Sequence, residues 1–231
     1  MKIAIYNDTF DLARPHFGCD LVMSTYKEQL ERVDIELIGT VKLTNRNPKS
    51  KLLKKADLVI VNGEGSFHHN RRNDLAEVSK YFPSILINTV FEDNNVDLSN
   101  FKFISARESI SASNIGCPVI PDIIFTSKIL EKVKKHGNKH GKIMHFSGIK
   151  TLRKAEVVLP EIAECSSIDT ESFHAIIVST ILGIEVRQIY PGSGVTWKTQ
   201  SVLNDITTNP NYVEEGKKSI NLMFENLHNL I

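Results

Sequence analysis

The chain has 231 residues, which is enough for one large α/β unit or two small ones. Hydrophobic residues make up 41% and charged residues 24%, as in ordinary globular proteins, and no apolar run approaches the roughly 18 residues that span a bilayer. Cys19, Cys117 and Cys165 are scattered without CxxC spacing, which favours reduced thiols in the cytoplasm over a disulfide framework or a zinc site.

The first half of the chain alternates between short apolar runs and helical patterns. Strands are predicted over residues 2–6, 35–38, 58–61, 84–87, 101–105 and 119–120. Helices are predicted over residues 19–32, 50–55, 73–81 and 107–114. Asn73 or Asp74 is expected near an N-cap, and Gly116 is expected to close the last of these helices. The alternation predicts a parallel, doubly wound sheet.

The loop after the first strand carries the first group of candidate site residues. Asn7, Asp8 and Thr9 leave the strand, and His16 leads into the first helix. The first βα loop commonly faces the ligand in such folds, so Asp8 or His16 is a candidate general base, with Asn7 and Thr9 beside the acceptor. The alternative is that Asp8 and Thr9 only form a turn and that His16 caps the helix.

The loop after the third strand carries the second group. Gly63 and Gly65 bracket Glu64, and His68 and His69 follow. Glycines allow close backbone approach to a ligand, and the ionisable groups stand where ligands of open α/β sheets bind. We therefore predict Glu64 as a catalytic base and the other four residues as acceptor contacts; the alternative is a tight turn with a solvated acid. Adjacent histidines rarely point the same way, so no metal is predicted.

The second half repeats the alternation after a polar segment between residues 123 and 142. Strands are predicted over 142–146, 166–169 and 185–189, and helices over 152–164, 171–182, 196–206 and 212–230. Thr170 is expected as the N-cap and Gly183 as the C-cap of the second of these helices. The pattern predicts two Rossmann-like domains, residues 1–125 and 126–231, with a cleft between them and the terminal helix packing back on the first.

Two segments of the second half precede predicted helices and suit a phosphate, because a helix N-terminus offers N–H groups and the positive end of a dipole. Their candidate donor-binding residues are Thr170, Ser172, His174, Ser193, Gly194, Thr196 and Lys198. The spacing of a Walker motif is absent. The alternatives are a capping or core histidine at residue 174 and an ordinary strand-to-helix connection after residue 189.

The net charge of +1 conceals two basic clusters. They consist of Arg46, Lys49, Lys51, Lys54 and Lys55, and of Lys128, Lys132, Lys134, Lys135, Lys139 and Lys142. Such runs are either solvated surfaces or surfaces that attract a polyanion such as nucleic acid or an acidic glycan. Neither cluster contains the interleaved aromatic residues that would support base stacking.

Several motifs together resemble the polysaccharide pyruvyl transferase family in their order and spacing. They are Asn7-Asp8-Thr9 with His16-x-Gly18-Cys19, Asn62-Gly63-Glu64-Gly65-Ser66-x-His68-His69, Arg107-Glu108-Ser109, Pro121-Asp122, Ser172-Phe173-His174-Ala175, and Trp197-Lys198 with Leu203. The resemblance implies a two-domain fold of the glycosyltransferase-B type and a donor activated by phosphate, either phosphoenolpyruvate or a nucleotide sugar. The chain departs from the family at Glu171-Ser172, where an arginine usually precedes Phe-His, and its second half is short.

These observations lead to three functional hypotheses. The first is transfer of a sugar from a nucleotide sugar to a hydroxyl of a glycan or of a hydroxylated base in DNA. The second is pyruvyl transfer from phosphoenolpyruvate to a sugar of a surface polysaccharide, which the missing arginine disfavours because arginine suits carboxylates and phosphates. The third is a non-catalytic module that binds a nucleotide or a glycan.

Overall fold

The computed structural model describes residues 1–64, 67, 72–144, 147–189 and 197–230. Contacts within the chain define two compact units. Unit 1 comprises Met1–Thr9, Lys27–Pro121 and Lys218–Ile231, and unit 2 comprises Phe10–Tyr26 and Asp122–Lys217. Both units are discontinuous in sequence, because the first and the last long helices are each shared between them. The predicted domains, residues 1–125 and 126–231, stay a prediction.

Unit 1 contains a parallel sheet of five strands in the order β2-β1-β3-β4-β5. The strands are β1 (Lys2–Asp8), β2 (Glu36–Lys42), β3 (Leu58–Asn62), β4 (Ser84–Thr89) and β5 (Phe103–Ala106). All residues of β3 and β4 are buried, as expected for central strands that are covered on both faces. The sheet therefore brings the carboxyl ends of β1, β3 and β4 to one edge.

Helices and an apolar core support this sheet. Helix α1 (Phe17–Arg32) follows β1, and α2 (Ser109–Ile115) follows β5. Apolar side chains from the strands and from the 3-10 helix at Asn73–Lys80 form a buried cluster that includes Phe67. The terminal segment belongs to the same unit, where the Arg32 guanidinium donates hydrogen bonds to the Glu225 carboxylate and the Asn221 carbonyl at 2.7 and 3.0 Å.

Unit 2 contains a parallel sheet of four strands in the order β7-β6-β8-β9. The strands are β6 (Lys139–Met144), β7 (Ile149–Lys150), β8 (Cys165–Thr170) and β9 (Glu185–Gln188). Its helices are α3 (Lys128–Glu131), α4 (Ala155–Ala163), α5 (Phe173–Ile181), α6 (Trp197–Thr208) and α7 (Tyr212–Glu225), the last of which continues into unit 1. No helix in the described ranges combines the length and the apolar character that crossing a bilayer requires.

The chain is thus an α/β protein with two parallel, Rossmann-like sheets, as the alternation predicted. Several predicted elements differ in detail. Only Leu53–Lys55 of the predicted helix 50–55 form a 3-10 turn, and Asn73–Lys80 form a 3-10 helix that begins after Arg72 without a side-chain cap. Val119 makes an isolated bridge to Ala106, so residues 119–120 are not a strand. The local sequence indicates regular structure in these segments. Because the segments are short, packing decides which type of structure they form.

One predicted helix cap is confirmed and two at α5 are displaced by one or two residues. Gly116 is the left-handed C-cap of α2, with φ of 75°, whereas the C-cap of α5 is Leu182 and the left-handed Gly183, with φ of 64°, follows it. The N-cap of α5 is Ser172 and not Thr170, because the Ser172 hydroxyl accepts the Ala175 N–H at 3.4 Å. Thr170 still belongs to β8, and its hydroxyl donates to the Ile143 carbonyl at 2.8 Å.

One face of the sheet in unit 2 is polar and partly exposed. The register places Ser167 beside His140 and Asp169 beside Arg187. The Arg187 guanidinium holds Asp169 through two hydrogen bonds of 2.8 and 2.7 Å, while Ser167 contacts the His140 ring at 2.9 Å. The Arg187 hydrogen bonds lower the pKa of the Asp169 carboxyl. Side-chain pairing therefore replaces apolar cover on this face.

We expect Arg187→Gln to raise the pKa of Asp169 toward its ordinary value, because the bidentate hydrogen bonds are lost. A carboxyl whose folded pKa is lowered stabilises the fold above its unfolded pKa, and that stabilisation is lost as pH falls through the folded pKa. The variant should therefore lose less stability on acidification. Carbon-13 NMR of the side-chain carboxyls measures the change directly.

Arg153→Gln is the matched control, since Arg153 makes an equivalent bidentate pair with Glu161 at 2.7 and 2.6 Å and lowers its pKa. The control should shift the titration of Glu161 and leave Asp169 unchanged. An Asp169 titration that is identical in the Arg187→Gln variant and the parent protein would contradict this account.

Candidate functional sites

Three asparagines meet where adjacent strands of unit 1 end. The Asn7 amide donates to the Asn62 carbonyl at 2.6 Å, and the Asn62 amide donates back to the Asn7 carbonyl at 3.2 Å. The Asn88 amide donates to Asn62 Oδ1 at 3.4 Å. All three side chains are buried. This asparagine cluster ties the ends of β1, β3 and β4 together through side chains, at the point where the backbone ladder stops.

Backbone bulges set the direction of the Asn7 and Asn88 side chains. Asn7 and Asn88 adopt left-handed conformations with φ of 71° and 57°, and the register shifts beside each of them. Asparagine tolerates this conformation better than most residues, and bulges near strand ends redirect side chains. Within the described residues, Asn7 Oδ1 and Asn88 Oδ1 are buried oxygens that accept no hydrogen bond. Such strain and unmet bonding capacity are common at functional sites.

Glu64 lies beside the asparagine cluster. Its backbone N–H donates to Asn62 Oδ1 at 3.3 Å, and its Oε2 accepts a short hydrogen bond from the Thr9 hydroxyl. The side chain is almost completely buried. Two predicted residues, Thr9 and Glu64, are thus in direct contact at the carboxyl end of β3.

Asp8 has a different environment from Glu64. Its Oδ2 lies 2.6 Å from the ammonium of Lys42 and accepts the Thr40 hydroxyl at 2.7 Å, both from β2. Asp8 is therefore held against β2, whereas Glu64 is held by Thr9 and Asn62 at the end of β3.

Gly63 lets the loop after β3 approach β4. A Cβ built on Gly63 would lie 2.3 Å from the Thr89 Cβ and 2.6 Å from its Cα, closer than real side chains come. Thr89 is fully buried, and its carbonyl accepts the Arg107 N–H at 3.0 Å. Gly63 thus has a structural reason for its small size, which is separate from its predicted role as an acceptor contact.

A second group of candidate residues is assembled in unit 2 around His174, in the first turn of α5. Its ring makes an edge contact with the His16 ring, with centroids 5.9 Å apart, and Phe173 packs against it at 5.8 Å. His174 Nε2 lies 3.6 Å from the carboxylate of Asp122, which is fully buried. We refer to His16, His174 and Asp122 as the histidine cluster. Residues distant in sequence thereby form a charged centre at the end of β8.

The partners of the two histidines differ. His16 is half-buried, and its Nδ1 accepts the Gly18 N–H at 3.2 Å, so the neutral ring carries its proton on Nε2 and can donate there. His174 is buried, with the Asp122 carboxylate on its Nε2 side. Asp122 Oδ1 in turn accepts the Ile124 N–H at 3.2 Å, which fixes the carboxylate.

Gly18 provides the space that His174 occupies. A Cβ on Gly18 would lie 2.2 Å from His174 Nδ1 and 2.3 Å from its Cγ. Because the imidazole is already enclosed by Phe173 and Asp122, it cannot move aside without losing these contacts. The glycine of the His16-x-Gly18 motif is therefore explained by a packing contact that spans more than 150 residues of sequence.

The predicted donor-binding hydroxyls serve the architecture of α5. Thr170 Oγ1 accepts the Ser172 N–H at 3.0 Å, and Ser172 caps the helix. Lys198 lies in the first turn of α6 and is half-buried. Thr199, beside it, accepts a short hydrogen bond from Gln188 at the end of β9. These contacts hold two helix N-termini of unit 2 at the carboxyl ends of β8 and β9.

Six predicted residues lie outside the residues that the structure describes. They are Gly65, His68 and His69 in the first unit and Ser193, Gly194 and Thr196 in the second. In the described ranges, no group of three or more His, Cys, Asp or Glu side chains is arranged to hold a metal ion.

Sequence reasoning gave Asn62 and Asp122 no individual role and did not single out Asn88. Asn62 and Asp122 stand in motifs, but only the sheet shows what they contact. Asn88 is a polar residue that follows an apolar run. This is the one feature of the sequence that could have indicated a strand end facing a site.

Comparisons with known proteins are consistent with this architecture. No protein-family model and no curated protein sequence matches the chain. Among solved structures, it is similar to the crystal structure of a functionally uncharacterized protein from Klebsiella pneumoniae subsp. pneumoniae NTUH-K2044. The TM-score is 0.62, the identity is 16%, and the match covers 90% of each chain. This likeness shows a shared Rossmann-like α/β fold.

We expect Gly18→Ala to destabilise the protein by about 1–3 kcal/mol, the usual cost of overpacking a filled interior. The physical reason is the 2.2 Å approach of the added methyl group to His174. In a His174→Ala background the same substitution should cost much less, because the clashing ring is absent. Urea unfolding of the four proteins gives this coupling free energy. Equal costs in the two backgrounds would show that the ring does not require the glycine.

Proposed function

We propose that the chain is a transferase of the glycosyltransferase-B type, which moves a sugar from a nucleotide sugar to an acceptor hydroxyl. The observation that carries this proposal is the histidine cluster, in which His16 and His174 meet at the N-terminus of α5. Imidazole N–H groups and the positive end of a helix dipole suit the phosphates of an activated donor. The resemblance to polysaccharide pyruvyl transferases supports the same reaction class and the same two-domain arrangement.

Unit 2 is proposed to bind the donor. His174 and Lys198 would stabilise the negative charge that develops on the leaving diphosphate, and Asp122 would orient the His174 ring. Because Glu171-Ser172 stands where the resembling family has an arginine, no guanidinium precedes His174 to hold a carboxylate. A nucleotide sugar, whose diphosphate can be held by helix N-termini, imidazole and lysine, therefore suits the chain better than phosphoenolpyruvate. No metal is required by this assignment.

Unit 1 is proposed to bind the acceptor. Glu64 would take the proton of the acceptor hydroxyl as its oxygen attacks the anomeric carbon, while the bond from that carbon to the diphosphate breaks and the nucleoside diphosphate leaves. The donation from Thr9 and the bond to Asn62 position Glu64 for this role. Asn7, Thr9 and Gly63 would line the acceptor, which is a glycan or a hydroxylated base in DNA.

We expect a nucleoside diphosphate to raise the melting temperature of the protein, and phosphoenolpyruvate to raise it less, because binding to the native state adds stability by mass action. His174→Ala should abolish the shift. His140→Ala is the matched control, since His140 is an exposed histidine of the same unit, on the polar face of the sheet. Differential scanning calorimetry across a concentration series measures the effect.

A shift produced only by phosphoenolpyruvate would favour pyruvyl transfer. No shift with either compound would favour a non-catalytic module, and an undiminished shift in His174→Ala would remove this histidine from the donor site.

We expect Glu64→Gln to lower kcat by about 10²–10⁴-fold, the usual contribution of a general base, with a small effect on donor affinity. His16→Ala should lower turnover and also weaken donor binding, because its Nε2–H is proposed to contact phosphate. Asp8→Asn should have a smaller effect on kcat, since Lys42 and Thr40 already hold that carboxylate. Mass spectrometry of acceptors incubated with mixed donors detects the product. Near-native turnover in all three variants would place the base elsewhere.

A further inference from the structure

One exposed segment of unit 1 carries lysines that form no ion pair within the part of the chain that the structure describes. Between Glu36 and Asp57 the sequence contains six basic residues and no acid. Four of the six lie close together before β3, and we refer to them as the lysine patch: Lys49, Lys51, Lys54 and Lys55. All four are exposed.

Pairing distinguishes the patch from its surroundings. The other two cations of the segment have acidic partners, Lys42 with Asp8 at 2.6 Å and Arg46 with Asp74 at 3.1 Å. Within the described residues, the side chains of Lys51, Lys54 and Lys55 make neither an ion pair nor a hydrogen bond. Their charges therefore add to one another and form a local positive potential despite the nearly neutral chain.

The patch is held on a rigid turn. Leu53 is fully buried in the apolar cluster of unit 1, and the Leu53 and Lys55 N–H groups donate to the Ser50 and Leu52 carbonyls at 3.1 and 3.0 Å. Leu52 packs over Gly39 of β2, where a Cβ would approach its methyl groups to 3.2 Å. Because the backbone is ordered by these contacts, a ligand would not have to order the turn on binding.

An aromatic ring adjoins the patch. Tyr81 follows the 3-10 helix Asn73–Lys80 and is 46% exposed, and the Lys49 ammonium lies 4.7 Å from its ring centroid. The sequence does not place an aromatic residue among these lysines, whereas the fold brings one there from 26 positions beyond Lys55. An exposed ring beside unpaired lysines can stack a base while the ammonium groups contact phosphates.

We propose that the lysine patch and Tyr81 form a binding surface for single-stranded nucleic acid. The lysines would neutralise successive phosphates, and Tyr81 would stack one unpaired base. A membrane surface is disfavoured, because interfacial binding needs several exposed apolar anchors, and among the described residues only Tyr81 offers a large exposed hydrophobic side chain in contact with the patch. An acidic glycan is also disfavoured, because it has no aromatic base to stack on the Tyr81 ring. This surface goes beyond the proposed transfer reaction and requires no donor.

The first test is binding of a fluorescent 20-nucleotide oligothymidine, measured by anisotropy without donor. If four phosphates are neutralised, log K should fall against log salt with a slope near about −3, so affinity should drop roughly 50-fold between 50 and 200 mM salt. A 20-base-pair duplex should bind more weakly, because its bases are not available to Tyr81. Absence of binding at 50 mM salt, or tighter binding of heparin than of the oligonucleotide, would overturn the proposal.

The second test assigns the binding to this surface. The triple variant Lys51→Glu, Lys54→Glu, Lys55→Glu should reduce the magnitude of the salt slope by about 2. Its matched control changes Lys102, Lys132 and Lys134 to Glu, which alters the net charge equally at exposed lysines elsewhere. Tyr81→Ala should weaken oligothymidine binding about 5- to 150-fold, and Tyr81→Phe should retain it. Equal losses in the control, or unchanged binding in Tyr81→Ala, would overturn the proposal. Circular dichroism confirms that each variant is folded, and an unchanged donor-induced melting shift keeps this outcome separate from the transferase hypothesis.

Discussion

The parallel hydrogen-bond ladder of unit 1 decides where polar chemistry can occur in that unit. Strands β3 and β4 are completely buried, so their side chains must be apolar until the ladder ends. At that edge backbone groups lose their partners, and the asparagine cluster supplies replacement bonds from side chains. Asn7 and Asn88 adopt their left-handed conformations at register shifts just before the last paired residue of β1 and β4, where the bulge redirects each side chain. Glu64 takes its position from Asn62 and Thr9 at the same edge.

In unit 2, packing between distant segments, and not a row of strand ends, brings the polar side chains of the histidine cluster together. Its candidate groups come from the loop before α1, the turn before a 3-10 helix and the start of α5, and they meet because Gly18 has no side chain. The buried His174 ring lies in the first turn of α5, which Ser172 caps, and the Asp122 carboxylate lies 3.6 Å from its Nε2. A buried carboxylate is costly unless polar groups face it, and Asp122 is faced by the Ile124 N–H and by the His174 ring.

Charged side chains near the strand ends and on the second sheet have specific partners. The Glu64 carboxylate accepts a hydrogen bond from Thr9, and the Asp8 carboxylate pairs with Lys42. The polar face of the second sheet is paired across strands, and Arg187 and Asp169 stabilise one another. Lys51, Lys54 and Lys55 lie within five residues of one another on one exposed turn, which is why that surface, and not the total charge of the chain, is informative.

The sequence by itself determined the fold class and the positions of the loops that carry the candidate residues. Apolar runs of four to six residues alternate with helical patterns, and that alternation has few structural solutions other than parallel sheets covered by helices. Gly116 and Gly183 were predictable as helix ends because left-handed residues after helices are usually glycine. The tertiary structure decided which side chains meet. It separated Glu64 from Asp8 by giving Asp8 to Lys42, placed Asp122 behind His174, and brought Tyr81 to the lysine patch. Periodicity records only which face of an element is buried. Contacts between residues that are distant in sequence, from Lys49 and Tyr81 to Gly18 and His174, depend on strand order and packing, which no local pattern encodes.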